Sequence, residues 1–155
     1  EIYTIGHSNI PLSEFLSLLE KHKIGSVVDV RSKPVSKYVP HYNKGLIERY
    51  LKTSGVGYHY FADEEVGNRL GGFPKDPECY DNDVVSYDAV RTRKWFQKAR
   101  RVALMCAEEN PYNCHRHNLL TQSLLARGVA VLHIRGNGSL DKAVKETKQS
   151  NLSSF

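Results

Sequence analysis

The sequence has few of the features that would take it out of the class of ordinary globular domains. Its longest apolar runs, such as Val102-Ala-Leu-Met-Cys106 and Val129-Ala-Val-Leu132, fall far short of the ~20 residues a membrane helix needs. The residues from Glu1 lack the basic start and apolar core of a signal peptide, so a cytoplasmic protein with no membrane partner is expected. Cysteine is scarce: three residues cannot pair off evenly, and a chain of 155 residues can bury a core without covalent staples. Reduced thiols are the expectation. There is no internal repeat and no low-complexity linker. Neither Gly-x-x-x-x-Gly-Lys-Ser/Thr nor a Gly-x-Gly-x-x-Gly after the first strand occurs, which excludes the commonest phosphate-cradling loops.

What is present is a balanced composition, 40% hydrophobic and 25% charged, that suits one soluble domain over residues 1–155. Lys and Arg number 22 against 17 Asp and Glu, a formal charge of +5, and the isoelectric point near 9.1 favours anionic partners. Strand-like and helix-like stretches alternate. Ile2–Ile5, Val27–Val30, Tyr58–Phe61, Val102–Met105 and Val129–Ile134 read as strands. Leucines and aromatics at helical spacing follow Pro11, recur from Leu46 to Leu51, from Thr92 to Ala99 and from Leu119 to Leu125, and a short weak helix is expected after Ser139. The alternation predicts an α/β fold with a largely parallel sheet of four to five strands and helices on both faces. Residues 62–84 carry Gly67, Gly71, Gly72, Pro74 and Pro77 with little periodicity, which reads as a long loop over a site.

Three of the strands run directly into polar clusters: Gly6-His7-Ser8-Asn9, Asp29-Val-Arg31-Ser32, and Cys106-Ala-Glu108 followed by Asn110 to His117. In parallel sheets ligands sit beyond the carboxyl ends of the strands, so these clusters should meet along one edge. Glu108 is the expected general acid or base, and His7 either assists it or caps its own turn. Asp29 has two readings, a carboxyl raised by burial or a partner that holds Arg31 in place. Cys114, beside His115 and Arg116 at a helix start, is a candidate nucleophile, whereas Cys106 reads as a buried strand-end thiol. Arg31 and Arg116 are the expected anion clamps, with Ser8 and His115 beside them. Lys33 to Lys44 mixes cations and aromatics as strand-tracking surfaces do, which brings Tyr42 and Asn43 into the substrate site. Arg91, Lys94, Lys98 and Arg101 fall on one helical face, as a solvated face or a contact for DNA or RNA. Cys-Ala-Glu…Pro-x-x-Cys matches zinc deaminase ligation poorly, so neither metal nor cofactor is expected.

Taken together, Thr4-Ile-Gly-His-Ser8, Val28-Asp-Val-Arg31, Pro40-His-Tyr-Asn43, Leu70-Gly-Gly72, Cys106-Ala-Glu108 and Cys114-His-Arg116 resemble the family called domain of unknown function 488. That resemblance implies a compact α/β domain with an enzymatic polar cluster. The strand ending in Cys106, followed by a loop and an Arg at a helix start, is similar in a fainter way to rhodanese and cysteine-phosphatase domains, although Arg116 lies further from Cys106 than their compact loops allow. The leading expectation is an enzyme that acts on a phosphate-bearing nucleotide or nucleic-acid substrate by metal-independent acid/base chemistry, such as glycosidic bond cleavage or group transfer. A thiol enzyme using Cys114 or Cys106, and a non-catalytic nucleic-acid-binding module, are the alternatives.

Overall fold

The computed structural model describes residues 1–31, 33–60 and 101–146, with the backbone but not the side chains of 115–119. The loop expected over 62–84, the helix around Trp95 and the cations Arg91, Lys94 and Lys98 lie outside the described residues, as does Ser32.

The most apolar segments form the middle of the sheet. Strand β1 (Ile2–Gly6) and strand β4 (Val102–Cys106) are buried along their whole length, as strands covered on both faces must be. β4 pairs in parallel with β1 on one side and with β2 (Ser26–Asp29) on the other. β3 (Gly57–Tyr60) continues the parallel pairing beyond β2, and β5 (Val131–Ile134) beyond β1. A sixth strand, β6 (Leu140–Lys142), turns back antiparallel against β5, giving the order β3-β2-β4-β1-β5-β6. The sheet thus has one strand more than expected, and that strand lies where a weak helix was anticipated. Three residues with a charged centre carry almost no periodic signal, and the pairing of Leu140 with Ile134 decides their conformation.

Helices lie on both faces. α1 (Leu12–Lys21) buries Phe15, Leu18 and Leu19, spaced three and four apart, and α2 (Lys44–Thr53) buries Ile47 and Leu51. These side chains pack with Tyr3, Ile5, Val27, Ala103 and Met105, the odd-numbered positions of the central strands. The even-numbered positions, Ile2, Val28, Val102, Leu104 and Cys106, face α3 (His115–Ala126) through Leu120 and Leu124. Alternation along the strands therefore builds two cores, and each fully buried Leu, Ile or Phe adds roughly 1.5–3 kcal/mol over an exposed one. Gly55 and Gly128, both at φ 78°, take the left-handed conformation just beyond α2 and α3. Among the described residues no helix is long and apolar enough to cross a membrane.

The neighbours β1 and β4 send their chains to opposite faces, β1 to α1 and β4 to α3. The carboxyl ends of this pair mark the switch point, the place where open α/β sheets accommodate ligands.

Candidate functional site at the carboxyl edge

Parallel pairing brings the three polar clusters to one edge, as the strand ends required. The floor of the switch point is closed by backbone bonds: His7 N–H donates to the Cys106 carbonyl (3.1 Å) and Ser8 N–H to the Ala107 carbonyl (2.8 Å). Ser8, at φ 38°, returns its hydroxyl oxygen to accept Glu109 N–H at 2.8 Å. Gly6 is needed here, since a Cβ at that position would overlap the backbone carbonyl of Glu108. Ser8 is thus committed to joining two loops.

On the α1/α2 side of this floor lies a buried polar network. Asp29 accepts from Arg31 Nε at 2.9 Å and from Nη2 at 2.7 Å, a two-pronged pair, and also from the Arg31 backbone N–H at 3.1 Å. Tyr58, on β3, adds its hydroxyl to the same carboxylate at 2.5 Å. Asp29 is wholly buried and Arg31 nearly so, which places the ion pair in a low-dielectric setting. Burial opposes the charge of Arg31, but the hydrogen bonds to Asp29 outweigh it and hold the guanidinium above its ordinary pKa. Burial, then the charge of Asp29, pushes the Tyr58 hydroxyl up, so it stays a donor. Of the two readings for Asp29, the structure displays the ion pair.

His7 completes the network. Its Nδ1 bonds the Ser8 carbonyl at 2.9 Å, which assigns the proton there, and its Nε2 then accepts from Arg31 Nη1 at 3.2 Å. The ring stacks on Tyr42 with centroids 4.3 Å apart and planes 18° from parallel. Burial first, with the Arg31 guanidinium adding to it, lowers the His7 pKa to about 4. The imidazole is therefore neutral near pH 7, with both nitrogens engaged. Tyr42 is itself completely buried, and its hydroxyl is given to the Ile10 carbonyl at 2.5 Å. It supports His7 from below the surface.

Guanidinium carries five N–H donors. Arg31 directs Nε and Nη2 to Asp29 and Nη1 to His7, and Tyr58 lies within hydrogen-bonding reach of the same guanidinium.

Beyond Arg31 the chain enters the stretch of cations and aromatics. Asn43 accepts Ser36 N–H on its side-chain oxygen at 2.6 Å, and the Ser36 hydroxyl accepts from Tyr38 N–H at 3.1 Å. Asn43 thereby shapes the loop. At its tip Tyr38 is 93% exposed, its ring face open to solvent. Sequence reasoning named the buried Tyr42, took in Tyr38 only as part of the Lys33–Lys44 stretch, and missed Tyr58. A tyrosine in β3 beside an Asp in β2 was the available signal for Tyr58, because a buried hydroxyl needs a partner.

Residues from the β4–α3 connection sort differently. Glu108 is exposed, outside the low-dielectric setting expected of it, and its carboxylate accepts Asn110 N–H at 3.5 Å. Its backbone nonetheless sits directly over the end of β1. Cys106 and Cys114 meet on the α3 face, opposite the Arg31 network: Cys106 is buried, Cys114 half-buried, and their thiols are hydrogen bonded. The bond to Cys114, followed by burial, pushes the Cys106 thiol well above its ordinary pKa. Cys114 is the N-cap of α3, and His115 and Arg116 occupy its first two positions. The carboxyl edge is shared by the polar residues; a single face is not. Arg101, the one described cation of the proposed stripe, lies at the opposite end of β4, where it donates to the His22 carbonyl at 2.9 Å and covers the Tyr3 ring. Among the described residues no three His, Cys, Asp or Glu side chains are grouped as metal ligands.

A family model with the description "Domain of unknown function DUF488" matches residues 11–122, the larger part of the chain. The chain belongs to that family. No curated protein and no solved structure matches it.

Proposed function

For this member of the DUF488 family we propose an enzyme that acts on a phosphate-bearing nucleotide or nucleic-acid substrate, with the phosphate seated across the switch point between β1 and β4. The observation that supports this most is the state of Arg31. It is locked in place at the carboxyl edge by Asp29, His7 and Tyr58, and its bonds to Asp29 and His7 account for three of its five N–H donors. A guanidinium held this way pays little ordering entropy when it binds an oxyanion. The first turn of α3, on the other flank of the switch point, adds backbone N–H groups and the position of Arg116.

In this reading His7 is a positioning residue: its neutral ring fixes Arg31 without adding a second charge. Glu108, exposed above the end of β1, is the group free to move a proton on a substrate lying on the floor. Tyr38 offers an open ring to a base. These roles fit glycosidic bond cleavage or group transfer next to a phosphate.

The test is binding and turnover with nucleoside phosphates and short oligonucleotides over a series of salt concentrations. Phosphate contacts make affinity fall as salt rises, and Glu108→Gln should keep binding while losing turnover. Affinity indifferent to salt, or full turnover by the Glu108→Gln enzyme, overturns the reading.

A further inference from the structure

The thiols on the α3 face have no part in the chemistry just described. Cys106 ends β4 and Cys114 begins α3, and the fold returns the chain to its starting point between them. Asn113 N–H reaches the Asn110 carbonyl (3.1 Å), Cys114 N–H reaches the Pro111 carbonyl (3.4 Å), and Tyr112 N–H is taken by the Asn110 side-chain oxygen (3.0 Å). These turns bring the second thiol back onto the first, and the two are hydrogen bonded. Their settings differ. Cys106 is buried and holds the Glu108 carbonyl with its Sγ at 3.3 Å, whereas Cys114 is half-buried at a helix N-cap that has no side-chain cap bond. A helix N-terminus favours a thiolate.

We propose that Cys114 and Cys106 form a reversible dithiol–disulfide site that exchanges with small-molecule disulfides, Cys114 being the attacking thiol and Cys106 the resolving one. The Cys114 thiolate attacks one sulfur of the incoming disulfide, forming a mixed disulfide and expelling a thiolate. Cys106, once deprotonated, attacks Cys114 Sγ, forming the internal bond and expelling the second thiolate. The two protons lost by the cysteines end on the two leaving thiolates, so the external disulfide is reduced to two thiols as the protein dithiol is oxidised. An accessible attacking sulfur beside a protected resolving one is the arrangement this exchange requires. The proposal goes beyond the phosphate reading and stands apart from it, since a protein that binds phosphate normally but never forms the bond fails only here.

The third cysteine, Cys79, lies outside the described residues, so the experiment starts from Cys79→Ser. That protein is equilibrated with mixtures of reduced and oxidised glutathione and followed by intact mass and peptide mapping. Loss of two hydrogens, with the bond mapped between Cys106 and Cys114, is expected. Adding Cys106→Ser should leave Cys114 carrying one glutathione, and adding Cys114→Ser should leave Cys106 unmodified. Both thiols remaining reduced in every mixture, or Cys106 taking up glutathione as readily as Cys114, overturns the proposal.

Discussion

Asp29 and Arg31, two residues apart at the end of β2, close a two-pronged ion pair of 2.9 and 2.7 Å in which the carboxylate is wholly buried. Alternation makes this possible, because side chains two apart on an extended strand point to one face. The pair turns a flexible side chain into a fixed cation at the carboxyl edge. A pair of this kind is costly to break by halves, since the surviving charge stays buried. Asp29→Asn should therefore lower stability by about 3–5 kcal/mol, measured by urea unfolding. Tyr58→Phe should lower it by a smaller amount, about 1.5–3 kcal/mol, because one donor to the carboxylate is lost and the ion pair survives.

His7 predicts a pH dependence. The unfolded chain takes up this proton below an ordinary pKa of 6.5, and the native protein only below about 4. Between those values the unfolded state holds more protons, so stability falls as pH drops from 6.5 toward 4 and the His7 contribution is fully present above 6.5. Its size is roughly 3 kcal/mol by the lower end of that range. Unfolding free energies for the parent and His7→Asn proteins, measured across that range, should converge as pH falls. Parallel curves would remove the assignment.

Gly6→Ala puts a methyl group into the backbone carbonyl of Glu108. Backbone cannot rotate away as a side chain can, so the floor between the two loops must open. A loss of about 1–3 kcal/mol is expected in thermal or urea unfolding, the usual cost of overpacking.

Tyr38 and Glu108 separate affinity from chemistry. Tyr38→Ala should weaken nucleotide or oligonucleotide binding by about 1–3 kcal/mol, the worth of one stacked base, with folding unchanged because the ring is 93% exposed. Glu108→Gln should lower kcat by about two to four orders of magnitude with little effect on affinity. Isothermal titration and steady-state kinetics distinguish the two outcomes.

The central strands were legible because β1, β2, β4 and β5 each carry a short apolar stretch. β6 was not: Leu140-Asp-Lys142 has no pattern of its own and becomes a strand only through its partner β5. The carboxyl edge was legible as well, since parallel pairing places His7, Arg31 and Glu108 together whatever their side chains do. Which face each takes was harder. Asp29 and Arg31 fall on the α1/α2 side while Cys106 points to α3, and that parity depends on a register between strands distant in sequence. Tyr42 illustrates the remaining gap. A tyrosine among lysines reads as a surface contact, but stacking on His7 and a bond to the Ile10 carbonyl draw it completely inside.

The central claim is that Arg31 receives a phosphate oxyanion at the carboxyl edge, and isotope-edited NMR of arginine side chains observes this directly. Titration with inorganic phosphate and then a short oligonucleotide should shift the Arg31 guanidinium resonances saturably, with Asp29 still bound on the inner side. Arg31 resonances that stay fixed while the other arginines respond would contradict the account.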